Sequence, residues 1–122
     1  VCNIVGIEQA KQMNQTAIHF PHGKDEMDFA GLEGLPSEFV KPLRVKDAPV
    51  HLECKYLRTI ELPTVSDTAR NCMILGEVVG IHIDEKYVAD GRIDVTKYQP
   101  VGRLGYMDYC SVAETFEMNR PD

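Results

Sequence analysis

A chain of 122 residues is one domain's worth of sequence, and a domain of that size buries roughly two thirds of the surface its unfolded chain exposes, so it needs no covalent staples. Apolar residues at 43% and charged residues at 26% exclude a disordered or fibrous class, and the net charge of −6 argues against a nucleic-acid surface, which needs a basic excess to displace counterions from phosphates. No run approaches the roughly 18 uninterrupted apolar residues of a membrane-spanning helix, since Glu77 and two glycines break the longest candidate, Asn71 to Asp84.

The opening residues Val-Cys-Asn-Ile-Val read as the middle of a strand, which predicts further strands upstream in the intact domain. From Ile7 to Phe20, the apolar residues Ile7, Ala10, Met13, Ala17 and Ile18 recur at helical spacing with polar residues between them. This spacing predicts an amphipathic helix that stops before Pro21, with Gly23 completing the turn. Asp25 is placed to cap a short helix through Phe29 and Ala30, which Gly31 can end in a left-handed conformation. Residues 33–49 hold three prolines and little periodicity. They predict a long ordered loop or arm, of the kind that serves function or covers a neighbouring surface. The basic residues Lys41, Arg44 and Lys46 within it sit among acids and prolines and read as solvated.

Between Val50 and Leu62 the period changes to two. Val50, Leu52, Cys54, Tyr56, Ile60 and Leu62 fall on one parity and His51, Glu53, Lys55, Thr59 and Glu61 on the other, predicting a strand with one buried and one wet face. Leu57 and Arg58 break the pattern, which a bulge would explain. Asn71 to Asp84 is strand again, apolar on both faces near its start. At about 3.3 Å per residue such a strand extends over about 40 Å, more than twice the usual length, so it must bend. Gly76 and Gly80, read as sharing one face, are where it would kink or admit a ligand to the backbone. Tyr87 to Pro100 is a largely polar connection with an Asp-Gly turn at Asp90 and Gly91. A closing strand is expected from about Tyr109 to Met118, with Cys110, Val112, Phe116 and Met118 on one parity. Together these elements predict a mainly β protein with short helices: a small closed β-barrel with a ligand-facing surface, its first strands missing from this chain.

The usual phosphate loops, GxxxxGK[ST] and GxGxxG, are absent, as are the GxSxG elbow and the HExxH helix. The four cysteines, Cys2, Cys54, Cys72 and Cys110, form no CxxC pair and lie in strand-like runs, so they read as small buried hydrophobes in a reducing cytoplasm. Pro21 separates His19 from His22 and favours a solvated turn over a metal site, so no metal is expected. His82 and Asp84 read as an exposed pair at a strand end. Asn71 stands at the mouth of what reads as the most buried strand, where its amide can bind a ligand or bond its own backbone. Arg103, flanked by Gly102 and Gly105, sets a fixed cation in a loop; it suits a phosphate, an anionic ring or a surface ion pair. Tyr109 and Phe116 suit either a stacking role or a core.

The order of motifs resembles the flavin reductase-like domain family. The resemblance runs through Val-Cys-Asn-Ile-Val, Met13 to Ala17, Asp25-Glu26, Ala30-Gly31-Leu32, Pro36-Ser37-Glu38 and Val40-Lys41-Pro42. It continues through Pro49 to Lys55, Leu75 to Ile83, Asp90 to Asp94, Arg103-Leu104-Gly105 and Phe116 to Pro121. It covers nearly the whole chain as the later portion of that family's domain, making residues 1–122 a single domain of this kind. The resemblance implies an FMN-binding split β-barrel that works as a homodimer with flavin at the interface, with NADH or NADPH as possible substrate. It carries cofactor contact to Asn71, Arg103, Gly105 and Tyr109. Tyr106 stands where relatives have a second glycine, which predicts a stiffer loop.

Three functions are compatible with these residues. The first is an NAD(P)H-dependent flavin reductase, in which the cofactor carries the hydride chemistry and no catalytic acid or base is assigned. The second is an FMN-binding electron-transfer protein reduced by a redox partner, and the third a flavin-free dimerisation module.

Overall fold

The computed structural model describes residues 1–65 and 70–121. Its centre is an antiparallel sheet of β1 (Cys2–Ile4), β4 (Val50–Leu62) and β5 (Asn71–Ile83), in the order β1-β4-β5. β4 covers the span that the period-two pattern predicts, and β5 nearly the span of the apolar run from Asn71 to Asp84.

Two register shifts bend this hairpin, between Glu53 and Cys54 and between Tyr56 and Arg58. The second leaves Leu57 unmatched where the alternation breaks. The first leaves Val79 unmatched, because Glu53 pairs with Gly80 and Cys54 with Val78. One extra residue on a strand inverts its parity. Gly76 and Gly80 therefore lie on opposite faces, contrary to the reading from spacing: a Cβ on Gly76 would meet Cys54, and one on Gly80 would meet the Phe39 ring.

The expected wet face of β4 is dry in its first half. His51 is 5% exposed and Glu53 fully buried, because the 33–49 arm folds over them. That arm carries β2 (Gly34–Leu35) paired with β3 (Arg44–Val45), and the Val45 carbonyl accepts from His51 Nε2 at 2.7 Å. The arm thus does what its length suggests and covers a neighbouring surface. Arg44 within it is not simply solvated: its Nε and Nη2 donate to the Pro36 carbonyl at 3.2 and 3.0 Å. Lys46 pairs with Glu33 at 2.6 Å.

On the opposite face, Val50 packs with Tyr87 and Tyr98 in a small core bordered by Ile4, Leu52 and Val95. The two tyrosine rings meet edge to face at 5.2 Å, a favoured aromatic geometry. The connection read as largely polar thus delivers two core aromatics. Within it the Asp-Gly turn forms as expected: Asp90 and Gly91 have φ 51 and 74 and join β6 (Val88–Ala89) to β7 (Arg92–Ile93). Helix α3 (Val95–Tyr98) follows, capped by Asp94, whose carboxylate accepts from the Thr96 amide and hydroxyl.

The first helix is shorter than its periodicity suggests. A 3₁₀ turn at Ile7–Gln9 leads into α1 (Ala10–Gln15). The amides of Thr16, Ala17 and Ile18 then bond three residues back, which tightens the chain out of the α form well before Pro21. Helix α2 (Glu26–Ala30) behaves as expected, with Asp25 accepting from the Met27 amide and Gly31 at φ 65.

The chain's last strand is also shorter than expected. β9 (Tyr109–Ser111) pairs with β8 (Val101–Arg103), and the Val112 amide still reaches the Pro100 carbonyl at 3.2 Å. From there to residue 121 no regular secondary structure forms, and Phe116 is 83% exposed. Alternation alone does not make a strand when no neighbouring strand offers hydrogen bonds. The cysteines are free thiols, and Cys2, Cys72 and Cys110 are exposed and so not the buried hydrophobes their strand positions suggest.

Candidate functional site

The β8–β9 hairpin and helix α1 enclose a cleft of about 530 Å³. Ile7, Ala10, Met13, Val101 and Met107 contribute apolar walls, and Lys11, Arg103 and Tyr109 contribute polar groups. None of the residues lining it is acidic.

Arg103 is held by two hydrogen bonds and a ring contact. Its Nη1 donates to the Tyr109 hydroxyl at 2.7 Å and its Nη2 to the Tyr106 carbonyl at 2.8 Å, while the guanidinium lies 4.9 Å from the Tyr109 ring centroid. Register explains the first contact, because Arg103 and Tyr109 are directly paired across the hairpin. The turn explains the second. Leu104 and Asp108 close it by backbone bonds, Leu104 N to Asp108 O at 3.0 Å and Asp108 N to Gly105 O at 3.1 Å. Tyr106 adopts φ 56 there, a left-handed conformation that glycine takes without strain. That is the position where the resemblance anticipates a glycine. Arg103 makes no ion pair among the described residues, so its charge remains available to an anionic ligand.

Of the four residues named from the resemblance, Arg103 and Tyr109 thus meet at this cleft and Gly105 shapes the adjoining turn. Asn71 does not join them. It lies at the outer end of the β4–β5 hairpin, paired with Leu62, and lines a separate cleft with Thr59, Glu61 and Arg70. Lys11 is a cleft residue that the sequence reading missed. Its helical position was legible, but only the fold sets α1 across the cleft from β8 and β9, so that Lys11 and Arg103 line the same space.

A second cluster was misread. Glu53 accepts from the amides of Glu38, Phe39 and Val40 at 2.9, 2.6 and 3.1 Å and from His82 Nε2 at 2.6 Å. Arg44 Nε lies 3.9 Å away. Burial by itself would raise the Glu53 pKa, but the Glu38 and Phe39 amides, the His82 ring and the Val40 amide outweigh it and hold the carboxyl at about 2. His82 is therefore committed to Glu53 and is not an exposed partner of Asp84, which pairs instead with Lys86. Burial lowers the pKa of the neighbouring His51, favouring its neutral form. The amides converging on Glu53 leave it no free valence for a ligand, so this cluster is structural.

Bulged long strands, a covering arm and a short hairpin beside a cationic, apolar cleft are the features this chain brings to a comparison with solved structures. The fold is that of a split barrel: a solved protein with a split barrel domain from Shewanella frigidimarina is similar at TM-score 0.81 and 20% identity, over 98% of this chain and 59% of its own. The family described as flavin reductase like domain matches residues 1–102, and the chain belongs to that family. Nitrilotriacetate monooxygenase component B from Bacillus cereus is similar at TM-score 0.85 and 29% identity, covering 95% of this chain and 57% of its own. An uncharacterized protein of Halalkalibacterium halodurans is 29% identical over 121 residues, 99% of this chain and 58% of that protein. The chain thus spans under three fifths of the length of these last two relatives. Among the described residues no helix is long and apolar enough to cross a membrane.

Proposed function

We propose that this chain is part of a flavin-dependent oxidoreductase that binds FMN at a homodimer interface and accepts electrons from NADH or NADPH in a reducing cytoplasm. The observation that carries this reading is Arg103: a cation locked by the Tyr109 hydroxyl and the Tyr106 carbonyl, without an acidic partner among the described residues, on an apolar cleft free of acids. A flavin when bound supplies the hydride chemistry.

The residues fit such a group. Ile7, Met13, Val101 and Met107 give apolar walls that suit a flat ring and exclude water. Arg103 stabilises negative charge that develops on a ligand during reduction, and because it is already fixed it needs no reorganisation at that moment. Gly105 lets the turn close, and Tyr109 both anchors the guanidinium and offers a ring face. Asn71 contributes from a second copy in this reading, because it stands apart from the cleft within one chain. The exposed apolar side chains of the β4–β5 hairpin, among them Tyr56 and Ile74 at 67% each, support a covering second copy.

Replacing Arg103 tests the reading. A hydrogen bond to a charged group contributes about 1.5–3 kcal/mol, so Arg103→Ala should weaken FMN binding about 10-fold or more in a fluorescence titration and slow NADH oxidation. Unchanged affinity and rate in that variant would remove the site. Bleaching of bound flavin by NADH in stopped flow separates a reductase from a protein that receives electrons only from a partner.

A further inference from the structure

Arg103 provides for one anionic centre, yet the cleft has a second cation. Lys11 projects from α1 into the same lining, from a different element of the chain. Its exposed side chain makes no hydrogen bond or ion pair with any described residue, so it is free to meet a ligand. Acids outnumber Lys and Arg by 19 to 13 in this chain, and still none lines this cleft. A ligand carrying a single anionic centre uses only one of the two cations. One with an apolar ring and a phosphate ester uses the walls, Arg103 and Lys11 together, and lysine suits phosphate as a compact point charge.

We propose that Lys11 selects ligands bearing a phosphate ester at this cleft, an inference that rests on the flavin reading above. Two sources share that chemistry: the phosphate of FMN and the 2′-phosphate of NADPH. Lys11 is a specificity residue, reading the phosphate and taking no part in electron transfer.

The test compares the intact chain, Lys11→Met and Lys24→Met, the last removing the same charge from an exposed position outside the cleft. Each is titrated with FMN and riboflavin by flavin fluorescence, and with NADPH and NADH by nucleotide fluorescence, after circular dichroism confirms folding. The unmodified chain should prefer the phosphorylated member of at least one pair. Lys11→Met should shrink that preference about 5- to 20-fold, the span set by a charged hydrogen bond discounted for exposure, with Lys24→Met unchanged. The affected pair identifies the source of the phosphate. Ratios that stay within about twofold of the unmodified chain in both pairs would overturn the proposal. Failure of the unmodified chain to bind either flavin would instead overturn the flavin reading beneath it.

Discussion

Gly80 offers a direct test of how the arm is held. A Cβ built on it would lie 2.5 and 2.8 Å from Phe39 Cδ2 and Cε2 and 3.6 Å from the Glu53 Cβ. Ring carbons do not tolerate such approaches, so Gly80→Ala must push the Phe39 ring outward. The ring is already 56% exposed and can move, but the Phe39 amide is bound to Glu53 at 2.6 Å, so the motion pulls on the carboxylate that gathers three consecutive amides. Overpacking of this kind costs about 1–3 kcal/mol. Against it stands a gain of roughly 0.5–1 kcal/mol, because alanine loses less backbone entropy than glycine in a strand. The net expectation is a loss of about 0–2.5 kcal/mol with Phe39 present. With Phe39→Ala the clash disappears, and Gly80→Ala should become neutral or stabilising by up to about 1 kcal/mol. Urea unfolding of the four chains in this cycle, followed by far-ultraviolet circular dichroism, gives the coupling directly. An equal cost of Gly80→Ala in both backgrounds would refute the idea that Gly80 exists to seat Phe39.

Further outcomes follow from the same contacts. The Glu53 carboxyl is held at about 2, below its ordinary 4.5. A depressed folded pKa contributes stability that is complete above about 4.5 and is lost as pH falls towards 2. Urea midpoints should therefore drop across that window, and Glu53→Gln should be less stable at neutral pH yet show a flatter acid profile; an unchanged acid slope would exclude Glu53 as the titrating group. Asp25→Ala removes the α2 cap and should cost about 0.5–2 kcal/mol by chemical denaturation, with Asp25→Ser recovering most of it. Arg103→Ala is expected to weaken FMN binding about 10-fold or more. Tyr109→Phe should reproduce part of that loss, because it frees Nη1 while keeping the ring, and an affinity equal to the unmodified chain would show that the hydroxyl does not orient the guanidinium.

Local patterns carried much of the fold. The two long strands, the Asp25 and Gly31 helix ends and the Asp90-Gly91 turn follow from alternation, capping chemistry and the conformations open to glycine and aspartate, all of which act over a few residues. The order of weak motifs was enough to indicate the family. What the alternation of His51 and Glu53 did not disclose is that the 33–49 arm lies on top of them. A period-two pattern separates two faces but does not say which is wet, and here a polar residue is buried because three amides distant in sequence satisfy it.

The glycines and the cleft teach the same lesson from two sides. Gly76 and Gly80 share a face by counting, but the unmatched Val79 reverses parity between them, and such an extra residue is visible only once the partner strand is known. Arg103 and Tyr109 were named from the glycine-flanked loop and the resemblance, and the short β8–β9 hairpin pairs them directly. Lys11 lines the cleft only because the fold sets α1 across from the β8–β9 hairpin, and the length of the β4–β5 hairpin sets Asn71 apart from it. Backbone propensities and capping are encoded next to the residues they govern, whereas burial of a charge and convergence of side chains depend on contacts between segments far apart in the chain, which only the folded arrangement specifies.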